Sequence, residues 1–214
     1  MSGQTDSVDG PAVLIRLLTV FCLIIVSGCS TTPPDRIGDV CEIFKDRRSW
    51  YRATHAAEKE FGTPKALQLA IIRQESSFRH NAKPPRGRFL FVFPGKRLSS
   101  ARGYSQALDT TWEVFKNETG RRSAERDKFD DAAQFVAWYV ARTSNMTGIA
   151  QDDAYRQYLA YHEGPAGFLR GTFEGKPGVK DAAARVDWIY RTYDAQLSQC
   201  EKKFRRGIPF IPGI

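Results

Sequence analysis

Long hydrophobic runs are missing from this 214-residue chain. The most apolar stretch, residues 17–26, holds about ten residues where a spanning helix needs roughly 18. Histidine is scarce: His55, His80 and His162 fall into no metal-ligand spacing, and the four cysteines form no paired Cys motif, so neither a metal nor an organic cofactor is expected. No internal repeat and no low-complexity segment occurs, which excludes a solenoid and a chain dominated by disorder. Acidic residues are the minority, 24 against 32 Lys and Arg, giving a net charge of +8. The excess is spread along the chain, which suits a polyanionic partner such as nucleic acid, anionic lipid or a bacterial cell wall, or simply a soluble surface. Neither a helix-turn-helix nor an aromatic RNA-binding motif stands out, so no nucleic acid is expected.

What remains is an ordinary globular composition, 42% hydrophobic and 26% charged, with room for one buried core. Residues 17–26 follow Arg16 and end on Ser27-Gly28, the pattern of a signal-peptide h-region, with an uncleaved signal anchor as the alternative. The first ten residues carry Asp6 and Asp9 and no Lys or Arg, which is atypical of such a leader. The run closes on Val26-Ser27-Gly28-Cys29, which resembles the lipobox of bacterial lipoproteins. That resemblance implies a signal peptide over 1–28, a lipid on Cys29, a tether over 29–39 that does not fold, and a membrane partner through the anchor. Ser30 after the cysteine, by the sorting rule for diderm bacteria, favours the outer membrane, on the periplasmic side of the envelope.

Cys22 lies in the apolar run and Cys29 is the acylation candidate, leaving Cys41 and Cys200. An oxidising compartment permits these two to pair, closing a loop of about 160 residues worth about 5 kcal/mol in the chain-entropy estimate; two unpaired thiols are the alternative.

Apolar residues recur at helical spacing over most of the rest, predicting a mainly α domain over 40–205 and a tail over 206–214. Phe44, Tyr51, Ala57 and Phe61 predict one amphipathic helix over 40–61, ended by Gly62. Thr63 as N-cap and Pro64 as first helical residue start a second, whose stripe of Ala66, Leu67, Ala70 and Ile71 leads to Glu75. Further helices are expected over 110–119, 130–145, 152–161 and 179–204, and a loop or small β-hairpin near 84–98, where prolines, glycines and arginines surround Phe89-Leu90-Phe91-Val92-Phe93.

Glu75 closes a core helix, where burial raises a carboxyl's pKa and suits it to general-acid work. A glutamate at a helix end is usually a solvated surface residue, so the surrounding sequence has to carry the assignment. Three segments follow in order: Glu75-Ser76-Ser77-Phe78, then Gly103-Tyr104-Ser105-Gln106, then Ala160-Tyr161-His162-Glu163-Gly164. Together they resemble the signatures of the lytic transglycosylases with a lysozyme-like domain, over residues 61–200. The resemblance implies a lysozyme-like fold and peptidoglycan glycan strands as partner, with Glu75 as the acid. It places Ser76, Gln106 and Tyr161 at the substrate, Tyr161 near the catalytic carboxyl; Tyr104 stands where the family has an apolar residue and is expected there too, with core packing and a satisfied hydroxyl as the alternative for both tyrosines. His162 and Glu163 depart from the family's neutral Asn-Ala and join the substrate residues as expectations, with an ion pair or a helix-end hydrogen bond as the alternative. A second departure is an insertion of about eight to ten residues between Glu75 and Gly103, whose Phe-rich content is expected to wall the groove.

The reaction implied is cleavage between N-acetylmuramic acid and N-acetylglucosamine with a 1,6-anhydromuramoyl product, Glu75 serving as acid and then base. Two alternatives stay open: a lysozyme-type muramidase in which Glu163 activates water, and a peptidoglycan-binding lipoprotein without activity. Nothing in the sequence specifies an oligomer, and a monomer is expected.

Overall fold

The computed structural model describes residues 32–84, 86–89, 93–97 and 99–205, and between 85 and 98 the backbone alone. Contacts divide the chain between Thr31 and Thr32, and every described residue belongs to the second unit. The expected signal peptide, Cys29 and the tail over 206–214 lie outside the described residues, as do the side chains of Phe89 to Phe93.

The fold is helical. Helix α1, Val40–Asp46, starts where Asp39 accepts hydrogen bonds from the Cys41 and Glu42 amides, at 2.9 and 3.2 Å. The single helix expected over 40–61 is two, because α2 begins anew at Arg48–Phe61 after a non-helical Arg47 (φ −124°, ψ 73°). A straight helix burying Ile43 and Phe44 would turn Arg47 and Arg48 inward next, four positions on. The break resets the phase, and Trp50 and Tyr51 take the next buried turn.

Helix α3, Lys65–Ser76, is the centre of the domain. Lys65 to Ile72 are all buried, so the helix is enclosed on every side. Pro64, extended at φ −55° and ψ 135°, occupies the cap position expected of Thr63. The Thr63 hydroxyl instead lies 3.0 Å from the Ala137 carbonyl oxygen and 2.7 Å from Gln151 Oε1, tying the start of α3 to two distant segments.

A two-stranded antiparallel hairpin follows, β1 (Arg86–Phe89) and β2 (Phe93–Arg97), with Phe89 opposite Phe93. Helices α4 (Asp109–Thr119), α5 (Phe129–Thr147) and α6 (Ala154–Glu163) match the expected segments within two residues at each end. A five-residue helix α7, Pro165–Leu169, starts on a proline directly after α6 and was not foreseen. Helix α8, Pro177–Arg205, packs along α1, α3 and α6, and the Cys41–Cys200 disulfide joins its far end to α1 across 159 positions. Among the described residues no helix is long and apolar enough to cross a membrane.

The tether does not stay free as far as Asp39. Pro34 is buried, Tyr193 Oη donates to the Ile37 carbonyl, and Gln196 Nε2 donates to the Gly38 carbonyl at 3.2 Å. Backbone carbonyls outside regular structure need other donors, and α8 supplies them to these two.

Candidate active site

Glu75 stands in the last turn of α3, and the chain leaves that turn in an unusual conformation. Ser77 and Phe78 both have positive φ, 51° and 60°, and the only other described non-glycine residue with positive φ is Gln106, at 50°. Such backbone costs energy and survives where packing over-determines it. Here the fully buried Phe78 ring packs on Trp50 at 5.5 Å, holding the turn that follows Glu75.

The Glu75 carboxyl looks into a groove of about 490 Å³, large enough for sugar rings. Gln106, Thr111, Tyr139, Tyr161 and His162 share its walls. Where it does not meet the groove the carboxyl is enclosed by protein, and that desolvation pushes its pKa from the usual 4.5 up to about 7, against a smaller lowering by the Tyr158 hydroxyl. Tyr158 Oη donates to Glu75 Oε1 at 2.8 Å. Tyr161, one helical turn further on, donates to the Ser105 carbonyl at 2.7 Å. Gln106 Nε2 donates to the Ala82 and Gly103 carbonyls at 3.0 and 2.8 Å, clamping the turn that brings the second motif to the groove. Gly103 is required there: it has φ 75°, and a Cβ would meet the Arg126 carbonyl oxygen at 2.1 Å.

Residues 17–200 match the family described as transglycosylase SLT domain. The chain belongs to that family. Membership supports a lytic transglycosylase-type function on the peptidoglycan of the cell envelope, and the mainly helical fold is that of a lysozyme-like SLT domain. A comparison with curated proteins found no match.

Within this SLT domain the expected site residues separate into two groups. Glu75, Gln106, Tyr161, His162 and Glu163 come together around the groove. Tyr104 and Ser76 do not line it. Tyr104 is 5% exposed and packs edge-on against Trp50 and Phe129, whose own rings stack at 3.8 Å, so this tyrosine belongs to the core. Ser76 is 2% exposed and its hydroxyl donates to the Ile72 carbonyl at 3.0 Å, inside its own helix.

His162 stands half-exposed with Nδ1 3.0 Å from Glu163 Oε1. Glu163 is tied down: its side chain is 4% exposed, Lys176 Nζ donates to it at 2.8 Å, and the Thr172 hydroxyl donates to the same carboxylate. The Lys176 ammonium first, then the Thr172 hydroxyl, hold its pKa down at about 2. The sequence did not reveal two further tyrosines of the site, Tyr158, which bonds Glu75, and Tyr139, which lines the groove. Tyr158 precedes Tyr161 by three positions and so shares its helix face, a spacing that could have revealed it. Tyr139 lies in α5, and nothing local marks it. Among the described residues no cluster of three His, Cys, Asp or Glu could hold a metal ion.

Proposed function

We propose that the groove takes a peptidoglycan glycan strand and that Glu75 cleaves the bond between N-acetylmuramic acid and N-acetylglucosamine, yielding a 1,6-anhydromuramoyl end. The observation that carries this reading is the Glu75 carboxyl, half protonated near neutral pH and open to a sugar-sized groove. In the first step its proton passes to the glycosidic oxygen, the C1–O bond breaks, and positive charge spreads over C1 and the ring oxygen. In the second, the muramoyl 6-hydroxyl attacks C1 and its proton returns to the Glu75 carboxylate. No water is consumed and the acid is restored.

Tyr158 supports both halves of the cycle. Its hydroxyl bond stabilises the carboxylate left after proton transfer, while burial stabilises the acid, and the two tendencies hold the group between its extremes. Against a hydrolase with a second working carboxylate stands the state of Glu163. It is the only other carboxylate among the described groove residues, and its ion pair with Lys176 leaves it a weak base.

Cys29 is the proposed lipid attachment site, with the domain on the periplasmic face of the envelope and the outer membrane favoured in a diderm host; the apolar run before Cys29 and a disulfide-linked domain support this. The decisive experiment is digestion of purified sacculi by the wild type and by Glu75→Gln, with products weighed. Anhydro ends, lighter by one water than hydrolysed ends, are expected from the wild type and none from the variant. Hydrated ends would make the protein a muramidase, and equal release by both proteins would remove Glu75 from the chemistry.

A further inference from the structure

The groove has a second concavity at its back. Ala101 and Thr111 line the groove, whereas their chain neighbours Arg102 and Trp112 line a separate cavity of about 380 Å³. The turn over 101–107, closed by a bridge between Arg102 and Ala107, and the start of α4 therefore form one wall with a site on each side. The volume suits a small ligand.

The two sides differ in chemistry. The groove carries the rings of Phe135, Tyr139 and Tyr161, but charges of both signs surround the second cavity. Most are already neutralised: Glu113 by Lys116 at 3.2 Å, Glu125 by Lys128 at 3.1 Å, and the 5% exposed Arg126 by Asp109 together with the Ala107 and Ser100 carbonyls. Three charges are left over. Lys83 and Arg102, brought together where the Gly103 amide donates to the Ala82 carbonyl, enter no ion pair among the described residues, and neither does Asp127 in the loop after α4. Trp112, 3% exposed and fixed by its Nε1 bond to the Ala124 carbonyl at 3.3 Å, supplies an apolar edge in the same cavity. Exposed charges gain little singly; opposite charges converging on one concavity recognise a ligand that carries both signs.

We infer that this cavity holds the zwitterionic part of a peptide, its carboxylate toward Lys83 and Arg102 and its ammonium toward Asp127. Peptidoglycan carries both groups on the stem peptides that hang from its muramoyl sugars, so the inference rests on the glycan reading of the groove and deepens it. Reach is sufficient. An extended stem of four or five residues spans about 13–18 Å, while consecutive residues of the wall, Ala101 and Arg102 or Thr111 and Trp112, line the two cavities. A sugar bound in front can therefore place its own stem behind, which makes the cavity a reader of peptide-bearing strands.

The test has a binding arm and a kinetic arm. Titrating the isotope-labelled domain with a free stem tetrapeptide is expected to move the Trp112 indole and Gly103 amide resonances, and the same peptide with its C-terminus amidated is expected to bind about tenfold more weakly. The Lys83→Glu/Arg102→Glu variant is expected to lose at least about tenfold in affinity for the tetrapeptide; both side chains are exposed, so thermal unfolding should be unchanged. On peptide-bearing sacculi that variant should show KM raised about tenfold at unchanged kcat, and on glycan strands stripped of peptide by an amidase both constants should equal the wild type's. A tetrapeptide that moves neither resonance, an amidated peptide that binds equally well, or a variant indistinguishable from the wild type overturns the cavity assignment and leaves the groove reading standing. Binding without cleavage of any glycan would do the reverse.

Discussion

The Tyr158 hydroxyl and the Glu75 carboxyl meet at 2.8 Å although 83 positions separate them in the chain. One comes from the middle of α6 and the other from the end of α3, and their contact places a donor on the carboxyl that the proposed mechanism uses twice. Tyr158→Phe removes the donor and leaves the ring. Because the hydroxyl lowers the Glu75 pKa, its loss should move the alkaline limb of the rate profile to higher pH. The maximal rate should fall about tenfold or more, since hydrogen bonds to charged groups contribute roughly 1.5–3 kcal/mol. A pH–rate profile on sacculi measures both effects.

The buried acid also leaves a mark on stability. Glu75 has its folded pKa raised from 4.5 to about 7, so the folded state binds the proton more tightly than the unfolded chain. Stabilisation by that proton is complete below the unfolded value and is lost as pH rises through the folded one, at about 3 kcal/mol in total. Glu75→Gln carries no such group. Chemical denaturation should show the variant gaining on the wild type by up to about 3 kcal/mol between about pH 4 and pH 8, and a constant difference would contradict the buried acid.

Glu163 offers the opposite case. Its pKa is held down at about 2 by Lys176 and Thr172, so its ionised contacts are intact above the usual carboxylate range and fail only as pH falls toward 2. Those contacts latch the stretch after α6 to the groove wall. Glu163→Gln should keep the anhydro products, lose about 1 kcal/mol of stability because Lys176 is half-exposed, and speed amide exchange over residues 165–176. Hydrated products from the wild type that disappear in this variant would restore Glu163 as a base.

Tyr104 separates packing from substrate contact. Its ring packs edge-on against the stacked Trp50 and Phe129 pair, so Tyr104→Phe should leave KM and kcat unchanged. Tyr104→Ala should destabilise by about 3–5 kcal/mol, as large aromatic truncations in cores do. A raised KM in the phenylalanine variant at unchanged stability would show that the hydroxyl reaches substrate.

Periodicity and motif order were enough to read most helices of the domain and to single out Glu75, Gln106 and Tyr161, because both are local properties: which face of a helix is apolar, and which residues stand a fixed few positions apart. They could not show that Arg47 interrupts the first helix, since that break depends on which turns of α1 and α2 the core accepts. Nor could they tell that Tyr104 turns inward beside Trp50, or that Lys176, thirteen positions beyond Glu163, returns to neutralise it. The residue types were set by the sequence alone: one glutamate at the end of a buried helix, and tyrosines spaced along another. Whether that glutamate keeps its proton depends on which faces meet and how much water they exclude, and desolvation arises only when the distant segments have packed.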